Sequence, residues 1–202
     1  MRLASARACL ASLVLASGLP LVPLSSASVA SNEQIELAEL MQTLSQVETA
    51  GGKFVEHKYL SLLSEPLTLR GRVTYRAPDY VEKAYDDPDG ERYEVRGRQL
   101  TIELADGRRR ELDIEEHPVL RAFVESYRGT LAGDLDTLRT YFDLELSGSM
   151  ENWRLVLVPK QSELSEYLSA VVVLGRGATV YEVQTREAGG DYSVMRLEDS
   201  VE

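Results

Sequence analysis

The sequence predicts an α+β protein in which a single antiparallel sheet curls on itself and helices cover its mouth or concave side. Three observations point there. From Leu67 onward, short runs of alternating apolar and polar residues are divided by turns rich in Gly, Pro and Asp. Apolar stripes at helical spacing occur near residue 40 and again in the middle of the chain. No repeat or low-complexity segment interrupts this order.

The chain opens with Arg2 and Arg7, an apolar run, and then small residues at Ser28, Val29 and Ala30. That layout predicts a secretory signal peptide over residues 1–30, cut after Ala30 or Ala27, ahead of a single domain over residues 31–202. Gly18, Pro20 and Pro23 interrupt the apolar run and no charged stop follows it, which argues against a membrane anchor. Cys9 is the sole cysteine and falls inside this leader, so the mature protein has neither disulfides nor a thiol nucleophile. Export also removes most nucleotide chemistry. The formal charge of −11 becomes −13 once Arg2 and Arg7 are gone. Such a chain is repelled by nucleic acid and by anionic lipid surfaces.

Within the domain, the stretch from Ser31 to Glu48 has Ser31 and Gln34 at capping-box spacing and a stripe of Leu37, Met41, Leu44 and Val47. It predicts an amphipathic helix ended by Gly51 and Gly52, followed by a strand over residues 53–61. Strands are then expected over Leu67–Arg76, Tyr80–Tyr85, Tyr93–Arg96, Leu100–Leu104 and Arg109–Ile114, with "DDPDGE" and "ADG" as turns. His117 and Pro118 open a central helix, with Val119, Phe123 and Tyr127 on one stripe and Leu120, Val124 and Leu131 on the next. Gly133 closes it, and Asp134 caps a shorter helix carrying Leu135, Leu138, Tyr141 and Phe142. Strands resume at Leu144–Ser147, Trp153–Val158, a run centred on Val171–Leu174, Val180–Arg186 and Tyr192–Leu197.

In "EPLTLRGRVTYRAPD", alternation puts Leu67, Leu69, Gly71, Val73, Tyr75 and Ala77 on one face and Thr68, Arg70, Arg72, Thr74 and Arg76 on the other. The arginines are then solubilising charge on a half-buried strand, and the dry face is the one that matters.

Catalytic constellations are not announced. His57 and His117 are not spaced for a shared metal, so no metal or other cofactor is expected. "DDPDGE" lacks the length and spacing of a calcium loop. Ser149 and Ser193 sit on no nucleophile elbow. The acids at Glu115, Glu116, Glu163 and Glu166 suit a solvated surface.

The order of parts carries a resemblance. An amphipathic helix, "F-x-E" at Phe54–Glu56, "GRVTYRAPD" at Gly71–Asp79, central helices, "WRLVLVPK" at Trp153–Lys160 and a closing hairpin with "GDYS" together resemble the LolA family of periplasmic lipoprotein carriers. The likeness spans most of residues 33–198 and is nearest the LolA-related branch associated with hydrophobic-product export. It implies an incomplete, strongly curved antiparallel β-barrel with a helical lid, whose apolar concave face holds acyl chains. Lipid-contacting residues would be Leu67, Leu69, Val73, Tyr75, Leu100, Ile102, Leu104, Trp153, Leu155 and Leu157, joined by Phe123 and Tyr127 from the lid. A filled core would use the same residues, so lining and packing both stay open for each. The family's lid-latching arginine directly precedes the proline that ends a strand. Here Ala77 takes that place and Arg76 stands one residue earlier, on the opposite face, so Arg76 is a doubtful latch.

The resemblance implies a monomeric, non-enzymatic carrier, periplasmic after cleavage of its leader, that takes lipid or lipoprotein acyl chains from an inner-membrane exporter to an outer-membrane acceptor. Two alternatives use the same features differently: a lipid-sensing regulatory module acting on a membrane signalling protein, and a lipid hydrolase using Ser149 and His117.

Overall fold

A computed structural model describes residues 35–86 and 90–198. The leader, the Ser31–Gln34 capping pair and the centre of "DDPDGE" lie outside the described residues.

Among the described residues eleven strands form one sheet, every neighbouring pair antiparallel. The first half is a meander of β1 (Thr49–Tyr59), β2 (Leu67–Arg76), β3 (Tyr80–Tyr85), β4 (Arg92–Arg96), β5 (Gln99–Glu103) and β6 (Arg109–Asp113). The second is β7 (Phe142–Ser149), β8 (Asn152–Pro159), β9 (Leu168–Arg176), β10 (Thr179–Glu187) and β11 (Tyr192–Leu197). The halves join where the last strand pairs with the first, Phe54 opposite Leu197 and Glu56 opposite Met195. Among the described residues no pairing joins β6 to β7, so the barrel is incomplete.

Among the described residues four α-helices accompany the sheet: α1 (Leu37–Leu44), α2 (Pro118–Ala132), α3 (Leu135–Tyr141) and the short α4 (Ser162–Ser165). Alternation places β2, β3 and β11 at the residues expected from the sequence. The first helix is shorter than expected, and Gly51 and Gly52 belong to β1 rather than to a helix stop. The cause is crowding between strands. Gly51 has φ +148° and a side chain there would stand 2.3 Å from the Val73 carbonyl oxygen of β2. The α4 turn, in a segment read as solvated acid, buries Leu164.

The long helix α2 starts with Pro118 at its first turn and ends at Gly133, whose φ of +64° suits a left-handed cap. Asp134 then caps α3 by accepting a hydrogen bond from the Thr137 backbone N–H at 3.0 Å. The two apolar stripes of α2 bury against different parts of the sheet. Val124 and Leu120 pack with Val95, Leu100 and Ile114 over β4–β6. Val119 and Tyr127 face the larger core, which α1, α3, β1 and β7–β11 build around Leu40, Phe54, Leu138, Phe142, Trp153, Leu155 and Leu157.

Candidate ligand-binding cavity

Beneath α2 the sheet is not filled. One cavity of about 780 Å³, widely open to solvent, lies at the start of the helix, bordered by Val119, Leu120 and Phe123, by Leu112, and by Leu164, Tyr167, Leu168 and Thr185. A second, of about 680 Å³, lies under its later turns, bordered by Ser126, Tyr127, Thr130 and Leu131 from α2, Leu44 and Val47 from the α1 end, and Val73, Tyr75, Val81, Val173, Val183 and Met195 from the sheet. Both volumes fall in the range that holds a small hydrophobic ligand, and both walls are chiefly aliphatic or aromatic. The second cavity also shows how far the sheet curls. Val81 on β3 and Val173 on β9 are five strand steps apart, about 24 Å on a flat sheet. Both border one space of 680 Å³.

Each residue expected to touch lipid now has a place. Val73, Tyr75 and Tyr127 border the second cavity and Phe123, 37% exposed, borders the first. Trp153, Leu155 and Leu157 have no exposed surface and border neither cavity. All three pack into the larger core, where Trp153 lies flat on Gly175, at which a Cβ would come within 2.0 Å of the indole, and its Nε1 donates to the Gly177 carbonyl at 2.9 Å. Leu100 and Ile102 pack under Leu120 and Val124 in the smaller cluster. Leu69 is half-buried, and Leu104, half-buried, has left β5 for the hairpin turn, its N–H on the Arg108 carbonyl. Leu67 is 44% exposed, because β2 enters the sheet at its rim, opposite Lys58.

Arg76 is solvent-exposed on the convex side, its guanidinium 5.2 Å from the centre of the Tyr80 ring, and among the described residues no hydrogen bond or ion pair joins it to a helix. The tie between lid and sheet runs the other way. Arg128 of α2 donates from Nη1 to the Gly97 carbonyl in the β4–β5 turn at 2.6 Å, while its other nitrogens grip Glu125, itself 5% exposed. Nothing local in the sequence marks this bond, since its partners are 31 residues apart.

A buried polar cluster sits on the concave face of β1 and β3. Glu56, 4% exposed, accepts from Lys83 Nζ at 2.8 Å and from the Tyr85 hydroxyl at 3.0 Å. Burial pushes the Glu56 carboxyl up, but the charge and hydrogen bond of Lys83, with the Lys58 charge and the Tyr85 hydrogen bond, hold the group below its ordinary value. Burial lowers Lys83, and burial together with Glu56 raises the Tyr85 phenol, which therefore stays protonated and donates. Under α2, the Tyr127 hydroxyl lies 2.7 Å from Thr185 Oγ1, and burial pushes the phenol up to about 12. His57 Nδ1 meets Thr68 Oγ1 at 3.0 Å, and His117 stands at the start of α2. No hydrogen bond among the described residues joins His117 to Ser149.

The family model for outer membrane lipoprotein carrier protein LolA-like proteins matches residues 29–200. The chain belongs to this LolA-like family. No curated protein matches the sequence. Among solved structures, a DUF1329 family protein from Desulfovibrio piger is 15% identical with a TM-score of 0.48, over 81% of this chain and 89% of that one. A LolA superfamily protein from Nitrosomonas europaea is 8% identical with a TM-score of 0.42, over 82% and 92% respectively.

Proposed function

We propose that this LolA-like protein is an exported carrier that holds an acylated or otherwise hydrophobic molecule beneath α2, moves it across the periplasm and does no covalent chemistry on it. The observation that carries this reading is the pair of apolar cavities left between a curled sheet and a helix lid. Val73, Tyr75, Phe123 and Tyr127 would contact the guest. An inner-membrane exporter would load it and an outer-membrane acceptor would receive it.

Burying an acyl chain contributes roughly 0.8 kcal/mol per methylene, so a chain wholly enclosed would be released too slowly for a shuttle. A lid whose apolar stripes compete with the guest for the same sheet face, and which is otherwise tied by a few polar contacts, answers that requirement. The Arg128 bond to the Gly97 carbonyl can break without disturbing the packed strands of the second half. The carboxylates of Glu116, Glu166 and Glu187 around the first cavity favour neutral or cationic head groups over anionic ones.

Native mass spectrometry of protein recovered from the periplasm tests the proposal. The expected spectrum contains adducts with the mass of a lipid or lipopeptide, and purified protein binds neutral alkyl probes. Protein that emerges bare and rejects every such probe would overturn it.

A further inference from the structure

The two cavities border successive turns of one helix, and side chains that touch one another border one and the other. Tyr127 borders the later cavity, yet its hydroxyl is bonded to Thr185, which borders the earlier one. Phe123 borders the earlier cavity, yet its ring meets Tyr127 edge-on with centroids 5.3 Å apart. Both the hydroxyl pair and the ring pair therefore cross from one chamber to the other. Phe123 and Tyr127 are four residues apart on α2, so they stack along a single face of the helix and form one partition.

We infer that the Tyr127–Thr185 contact is a stop that divides one apolar trough and so sets the length of chain that each chamber accepts. This rests on the carrier reading and adds its specificity. A linear alkyl chain entering either chamber gains contact until it meets the Tyr127 ring or the Thr185 methyl. Methylenes beyond that point stay in water and add no affinity. Passing the stop requires the Tyr127 side chain to swing away, which breaks its buried hydrogen bond and its contact with Phe123 together. The preferred guest is thus a chain, or one of several chains, short enough to end at the partition.

The test is a chain-length series of neutral alkyl maltosides, octyl through hexadecyl, each below its critical micelle concentration, displacing a neutral naphthylamine dye from the protein. Native protein should bind about fourfold more tightly per added methylene up to a break, then no more tightly. Tyr127→Ala should move the break to longer chains by several methylenes. Thr185→Val keeps the side-chain shape and removes the hydroxyl partner, so it should move the break in the same direction and by less. A break at one length in native protein and in both variants, each folded by circular dichroism, overturns the stop and leaves the carrier reading standing. A native series that climbs without a break does the same. Native protein that binds no maltoside and no dye overturns both.

Discussion

Strands β7–β10 and strands β3–β6 are the two flanks of one sheet, yet they are packed to different depths. On the first flank the strands run eight or nine residues, and β8 and β9 bury Trp153, Leu155, Leu157, Val171, Val172 and Val173 almost completely. On the second they run five or six residues, no residue of β3 is fully buried, and cross-strand ion pairs such as Arg92 with Glu82 and with Glu103 line the surface. Surface pairs of that kind contribute at most about 1 kcal/mol each, whereas a buried aromatic contributes several times that. One flank is a rigid wall, and the other is a compliant one to which the lid is tied.

The sharpest way to break this contrast is to hollow the rigid wall. Trp153→Ala should cost about 3–5 kcal/mol, read as a shift in the urea midpoint, because the space over Gly175 cannot collapse. A cost below about 1 kcal/mol would mean that the wall is not as tightly packed as its burial says.

On the compliant side, Lys83→Met should cost about 3 kcal/mol by leaving Glu56 buried without its cation, while adding Glu56→Leu should restore most of the loss. The same pair predicts a pH dependence. Glu56 has a folded pKa below its unfolded value of 4.5, so its stabilisation is complete above that pH and fades as pH falls through the folded value. The advantage of native protein over Glu56→Gln should therefore shrink on acidification below pH 4.5, and an advantage that grows there would contradict the assignment.

The lid bond is a smaller matter. Arg128→Ala should cost about 2 kcal/mol and speed hydrogen exchange in α2 far more than in β8 and β9. Uniform acceleration in all three would show that the lid does not open by itself. Smallest of all, Arg76→Ala should change stability by no more than about 0.5 kcal/mol and leave α2 exchange untouched. An α2 that opens faster in that variant would return the latch to Arg76.

Much of the sheet was legible because strand alternation is a local signal: Leu67–Arg76 and Tyr192–Leu197 emerge from spacing alone. Lining was not. Leu155 and Tyr75 both face inward, and what separates a packed side chain from one beside a cavity is the position of α1 and α2, which no local pattern encodes. Arg128 with Gly97, and Tyr127 with Thr185, are likewise joined by the fold across 31 and 58 residues. Gly51 read as a helix stop because the carbonyl that requires a glycine there belongs to another strand.

The free borders of the sheet at β6 and β7 have a mechanical meaning. A closed barrel fixes its girth by its strand number and shear, and widening it means tearing a ladder of backbone hydrogen bonds. An unsealed one can unroll slightly, its strands rotating against each other with every ladder intact, so a bulkier guest of the proposed carrier would cost only a change of curvature.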